Sequence, residues 1–369
     1  MAILRTPSAA LLLVTLALAG SPARAEIKGD AIRIGVLTDM NGIFATAMGP
    51  GSVEAARMAA EEFGGKINGK PIEILQADHQ NKPDLAASLA RKWFSDGVQA
   101  IADGGSSGAA LAVQELVRGN GNIFLVSGAG ANQLTDEACA PTSVQWTQDA
   151  YSTATAVVSG IMQTSKEPWF FITGDYAFGH SIEATARDRI AALGGKVAGS
   201  VKAQLGTPDY SSFLLQAQSS GAKILAINVA GDNATAIKQA EEFGLADQGM
   251  KIVPMSFQNV DIEAVGLKAT RGDLIVTSFF EDVSPAAREV LRRVLCAPQG
   301  DALADPGRRL FRRAPLSASL EGHRHGRQRH RDGEDEGNAG VGRLHAQRPH
   351  SRGPAHGARS LSGAGQDAG

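Results

Sequence analysis

The chain has 369 residues, with 36 Lys and Arg against 38 Asp and Glu, for a formal net charge of −2. That balance offers no electrostatic basis for binding nucleic acid or an anionic membrane surface. Two cysteines, Cys139 and Cys296, allow at most one bridge, so a disulfide framework is excluded.

The N-terminus carries Arg5, an apolar run over residues 9–19, and the small-x-small triplet Ala23-Arg24-Ala25 ahead of Glu26. This is the pattern of a secretory signal peptide over residues 1–25, and it predicts an exported, periplasmic protein. The run is too short to span a bilayer, and no later stretch approaches the roughly 20 apolar residues that spanning requires. The remaining length exceeds the ~100–200 residues of one domain and predicts two.

From residue 31 onward, short β-branched runs alternate with longer Ala-rich amphipathic segments, the pattern of βα units around a parallel sheet. Strands are expected at 31–38, 72–77, 99–102 and 123–126. Helices are expected at 52–63, 83–94 and 108–117, with Pro83 suited to a first helical turn. These make a first lobe over residues 26–147. A second series predicts helix 150–163, strand 169–173, helix 179–193, strand 196–201, helix 211–219, strand 223–228, helix 233–243 and strand 251–254, giving a second lobe over 148–273. A crossover strand at 274–277 and a helix start fill 274–293. The expected fold class is α/β, with two Rossmann-like lobes around central parallel sheets and a cleft between them.

Ligands of such sheets sit beyond the carboxyl ends of the strands, where loops feed helix N-termini that carry unpaired N–H groups and partial positive charge. The loop Gly104-Gly105-Ser106-Ser107-Gly108 fits that description. Its glycines permit close backbone approach, and Ser106 and Ser107 add hydroxyls suited to a carboxylate. Either serine is equally suited to capping the following helix.

Ile34-Gly35-Val36-Leu37-Thr38-Asp39-Met40-Asn41-Gly42, then Gly49-Pro50-Gly51, then Ala55, Met58 and Ala59, resemble the opening of the branched-chain amino-acid-binding family of ABC importers. Further landmarks keep family order: Gly104-Gly105-Ser106-Ser107, Ser127-Gly128-Ala129 with Leu134-Thr135, Asp175-Tyr176-Ala177-Phe178-Gly179-His180, and Pro208-Asp209-Tyr210-Ser211-Ser212-Phe213. The resemblance covers about residues 30 to 290. It implies the type I periplasmic-binding fold, capture of a small molecule by lobe closure, delivery to an inner-membrane ABC permease, no cofactor and no catalysis. A monomer is expected.

The resemblance also implies ligand contacts from Ser127 and Ala129 and an aromatic wall from Tyr176 and Phe178, while Trp146 near the hinge is a further candidate. Amino-acid binders of the family often carry Glu in the second lobe near the position where this chain has Gln258. A neutral Gln258 favours an aromatic or other organic carboxylate as rival ligand, because a desolvated ammonium must be paired. Asp232 is the substitute partner for such a cation, or else a helix cap.

Two alternatives share these residues. Residues 104–108 match G-x-S-x-G, the nucleophile motif of a secreted α/β-hydrolase using Ser106, with Asp175 and His180 as acid and base. A periplasmic ligand sensor would use the same two lobes. No phosphate-binding G-x-x-x-x-G-K-[ST] motif occurs.

After Val294 the chain contains no Lys, Ile, Met, Tyr or Trp, and Arg, His, Gly, Ala and Pro dominate. Such a segment lacks the apolar surface to offset the entropy of ordering it. Reading the codons one base later permits, in the region of Arg329 to Arg352, the decoding ATVMAKMKEMPVSDDFMRNGRIR, which resembles the C-terminal part of the family. A shifted reading frame over residues 294–369 is therefore expected, with Cys296 a product of the shift and Cys139 left as a lone buried thiol. The His- and Arg-rich run at 322–330 otherwise resembles a metal site or basic patch.

Overall fold

The computed structural model describes residues 29–266, 270, 276, 277 and 284–296, with only the backbone of 291 and 294–296. The expected signal peptide, residues 274 and 275 of the expected crossover strand and nearly all of the altered-composition tail lie outside the described residues, while residues 276 and 277 are described and belong to no strand.

The first lobe is built on a six-stranded sheet of order β2-β3-β1-β4-β5-β6. Its strands are β1 (Ile32–Thr38), β2 (Lys66–Ile67), β3 (Lys70–Asp78), β4 (Ala100–Asp103), β5 (Ile123–Val126) and β6 (Ser143–Gln145). All pairs are parallel except the short β2–β3 hairpin. Helices α1 (Gly49–Glu62), α2 (Pro83–Ser95) and α3 (Ser107–Asn120) connect the strands. Pro83 opens α2, where its missing N–H costs nothing. Gly121, at φ 74, closes α3 in the left-handed conformation that glycine adopts without strain. The core beneath α2 and α3 joins Leu37, Trp93, Ile101, Val113, Val117 and Phe124.

The second lobe has a fully parallel four-stranded sheet of order β10-β9-β7-β8. It comprises β7 (Trp169–Gly174), β8 (Val197–Ala203), β9 (Ile224–Asn228) and β10 (Lys251–Pro254). Every residue of β7 and β9 is buried, as expected of central strands covered on both faces. One face is covered by α4 (Ala150–Met162) and α5 (Ala177–Ala192), the other by α6 (Ser211–Ser219) and α7 (Asn233–Glu242). A capping box of Asp149 and Ser152 starts α4. Two further helices follow, α8 (Asn259–Val265) and α9 (Pro285–Cys296), the latter packed on α1.

Strands 123–126 and 251–254 and helix 211–219 fall where the sequence places them. The short strands β2 and β6 and helix α8 are additions that periodicity does not announce. Cys139 corrects an expectation: its thiol is free and exposed, not buried, because it sits in the surface turn that follows the short 3-10 segment Asn132–Leu134.

Because successive strands are parallel, their carboxyl ends gather on one edge of each sheet. That edge carries the turns after β1, β3, β4 and β5 in the first lobe and those after β7, β9 and β10 in the second.

Candidate ligand site

Ser106 is the N-cap residue of the 14-residue helix α3, half-buried, and its side chain makes no capping bond. Its hydroxyl therefore stands at the positive end of a helix without a backbone partner among the described residues. Ser107 behaves differently: it is buried, and its hydroxyl accepts from the backbone N–H groups of Gly130 (3.2 Å) and Ala131 (3.1 Å). Ser107 thus fastens the start of α3 to the loop after β5 and brings Ser106, Ser127 and Ala129 into neighbouring turns. Ser127 is half-buried, with its hydroxyl 3.5 Å from Oδ1 of Asp103. Ala129 is 2% exposed, its methyl in the core and its carbonyl accepting from Gln145 at 2.9 Å.

Within the second lobe the Tyr176 hydroxyl donates to the Ala230 carbonyl at 2.9 Å, while its ring crosses to meet Phe44 of the first lobe. Burial pushes the Tyr176 phenol well above its usual range, so it is a donor at any working pH. Phe178 packs on the second-lobe core and lies so close to Gly130 that a Cβ there would come 2.8 Å from the ring. Gly231 sits on Ile43 and Phe44, each 3.0 Å from where its Cβ would stand. The turn after β1 therefore touches the turn after β9. At the outer rim, Asn132 donates twice across the same junction, its backbone N–H to the Ser181 hydroxyl at 3.2 Å and its side-chain amide to the Thr185 hydroxyl at 3.0 Å.

The other predicted residues stand apart. The Asp232 carboxylate accepts from the backbone N–H of Gly206 at 2.7 Å, within the second lobe, and burial raises its pKa. Gln258 is exposed at the N-cap of α8, where its N–H donates to Asp261 at 2.9 Å. Trp146 is 55% exposed beyond the edge strand β6. A groove of about 270 Å³ at the lobe junction is lined by Asn132, Gln133, Glu137, His180, Ser181 and Ala184 and by none of the nine predicted residues.

Sequence reading passed over a buried polar group under residues 104–106. Asp39, His79 and Asp103, all within 1% of complete burial, come from the carboxyl ends of β1, β3 and β4. Asp39 accepts from the N–H groups of Gly42 (2.7 Å) and Phe44 (3.0 Å) and from the Asn81 side chain (2.6 Å). Asp103 holds φ 78, a conformation that costs a non-glycine residue about 1–3 kcal/mol. Its Oδ2 has no hydrogen-bond partner among the described residues, and burial raises its pKa. The available signal was the polar string Asp78-His79-Gln80-Asn81 directly after a strand.

His180 does pair with Asp175 at 2.8 Å, but among the described residues no hydrogen bond joins Ser106 to a histidine. The nucleophile–base contact that a hydrolase needs is missing from this arrangement. Among the described residues no group of His, Cys, Asp and Glu is disposed to hold a metal ion, and no helix is long and apolar enough to cross a membrane.

Two α/β lobes meeting across the carboxyl ends of their strands define a solute-binding architecture. A family model described as periplasmic binding protein matches residues 31–300, and the chain belongs to that family. It is similar to a periplasmic binding protein from Burkholderia mallei, with 40% identity, a TM-score of 0.70, and coverage of 73% of this chain and 72% of that one. A branched-chain amino acid ABC transporter periplasmic ligand-binding protein from Burkholderia xenovorans is 35% identical, covering 71% of each chain at a TM-score of 0.62. The Leu/Ile/Val-binding protein homolog 6 of Brucella suis is 24% identical over 262 residues, which span 69% of this chain and 65% of that relative's length.

Proposed function

We propose that this chain is the exported solute-binding component of an ABC importer, capturing a small carboxylate-bearing molecule by lobe closure and delivering it, as a monomer, to an inner-membrane permease. The observation that carries this reading is the Ser106 hydroxyl, uncommitted at the N-terminus of α3, where first-turn N–H groups and the helix dipole favour an anion. Ser127 and the backbone of Ala129 flank it from the loop after β5. Phe44, Tyr176 and Phe178 supply apolar surface from the turns that meet across the lobes. Such a set suits a flat or branched apolar body bearing one carboxylate.

Between an amino acid and an organic acid, the second lobe favours the organic acid. Gln258 is neutral, and the Asp232 carboxylate is already engaged by Gly206. An α-ammonium group buried there would have to share that carboxylate with Gly206, and a poorly paired buried cation costs several kcal/mol.

The test is calorimetry on the full chain with benzoate and leucine as probes. Benzoate is expected to bind and leucine to bind at least tenfold more weakly. Ser106→Ala combined with Ser127→Ala should weaken benzoate by about tenfold or more, the worth of a hydrogen bond to a charged group. Unchanged affinity in the double variant would remove both serines from the site. Preference for leucine would return the ligand to the amino-acid class.

A further inference from the structure

His79 is completely buried, and three carboxyl groups bear on it: Asp39 from the end of β1, Asp78 from β3 and Asp103 from the end of β4. Its Nδ1 atom accepts the backbone N–H of Asn81 at 3.0 Å. That bond assigns the neutral ring its proton on Nε2, which faces Gly105 so closely that a Cβ there would lie 2.2 Å away. Nε2 lies beside the backbone of Gly104 and makes no hydrogen bond of good geometry among the described residues, so the Asn81 bond is the one that holds the ring.

Asn81 is the next link. Its backbone is left-handed, at φ 56, and its side chain donates to Oδ2 of Asp39 at 2.6 Å. Asp39 in turn holds the N–H groups of Gly42 and Phe44. Phe44 is the residue that touches Tyr176 and the Gly231 turn in the second lobe. A continuous chain of contacts therefore runs from the imidazole to the junction of the lobes, while the other edge of the ring props the backbone of residues 104–106.

We propose that His79 is a positioning residue for the ligand-facing turns of the first lobe, and that placing a proton on its Nδ1 atom releases them. An imidazolium carries N–H on both nitrogens. Nδ1–H would then point at the Asn81 N–H across 3.0 Å, donor against donor, and the turn must open. Burial opposes that proton and the three carboxyls favour it, with burial the larger effect, so the neutral ring persists below its usual range. The turns stay fastened at neutral pH and loosen as the medium becomes acidic. That these turns face the ligand rests on the proposed function; the switch itself can be read with no ligand present.

The experiment is amide hydrogen exchange on the full chain at about pH 7.5 and about pH 5, reported as protection factors so that the chemical pH dependence of exchange is removed. In the native protein, protection at Gly42, Phe44 and Asn81 is expected to fall about tenfold or more on acidification, with little change in the second-lobe sheet. His79→Asn keeps an acceptor for the Asn81 N–H and cannot titrate, so it should hold protection at both pH values. Equal losses in the native protein and in His79→Asn would overturn the proposal, as would no loss in either. Should His79→Asn fail to fold, nitrogen chemical shifts of the native imidazole decide the matter. The Nε2–H tautomer at neutral pH is expected, and the Nδ1–H tautomer overturns the proposal. Benzoate calorimetry over the same pH range then reports separately on the ligand: retained protection changes with no benzoate binding would fault the proposed function and leave the switch intact.

Discussion

Phe44 of the first lobe meets Tyr176 of the second edge to face, with ring centroids 6.4 Å apart and planes at 75°. A pair in this geometry contributes about 0.5–1.5 kcal/mol beyond its buried area. Because it spans the lobes, it stabilises their contact and not either core. Phe44→Ala should therefore weaken benzoate binding by about two- to tenfold in calorimetry while leaving the far-UV spectrum unchanged. Equal affinity in the variant would mean that the contact plays no part in closure.

Gly105 tolerates nothing larger. Its φ is 54, and a Cβ would stand 2.2 Å from Nε2 of the buried His79 and 3.3 Å from the Asp39 amide. His79 has no room to withdraw, being completely buried. Gly105→Ala is expected to destabilise the protein by about 2–4 kcal/mol through overpacking and the left-handed backbone, read as a lower denaturation midpoint. Gly51→Ala, where a Cβ meets nothing within 4 Å, is the control and should lie within about 0.5 kcal/mol of the native protein.

Glu183 supplies a pH test in the second lobe. Burial raises its pKa, but the Arg187 guanidinium bonded to it and the neighbouring Thr173 and Ser200 hydroxyls outweigh that and leave it below its usual 4.5. The Arg187 bond is 2.7 Å long, and the Glu183 side chain is 11% exposed. A carboxylate with a depressed folded-state pKa stabilises the protein above its unfolded value, and the contribution is lost as pH falls through the folded value. Glu183→Gln should thus cost about 1–3 kcal/mol near neutral pH. The gap to the native protein should narrow in denaturant titrations carried below pH 4.5, the unperturbed value. A gap that stayed constant with pH would show that the ionised form gives no advantage.

The change of composition at residue 294 carries its own prediction. If a base has been gained or lost there, genomic DNA sequenced across the codons for Leu291 to Pro298 will differ from the present reading, and the restored frame will encode Lys, Ile and Met again. An identical sequence would make the Arg- and His-rich tail the true product and sink the frameshift reading.

The α/β alternation was legible in the sequence because central parallel strands are buried on both faces. Trp169-Phe170-Phe171-Ile172 and Ile224-Leu225-Ala226-Ile227 read as continuous apolar runs for that reason. Pro83 marked the start of α2 for an equally local reason, its fixed φ. Ser106 and Tyr176 were legible as candidates since each follows a strand and opens a helix. The edge strand β6 was not, because its three residues gain their identity only by pairing with β5. Nor could sequence separate Ser106 from Ser107: the two differ in that α3 turns the second hydroxyl inward, onto Gly130 and Ala131.

Asp39, His79 and Asp103 are dispersed along the chain and carry no motif. They meet because β1 lies between β3 and β4 in the sheet, which places three consecutive strand ends side by side. Local patterning determined which segments became strands and helices, since hydrophobic period and turn chemistry act within a few residues. Which polar side chains were buried together, and which turns of one lobe touch the other, depended on strand order and lobe contact. Those are long-range properties that no window of sequence contains.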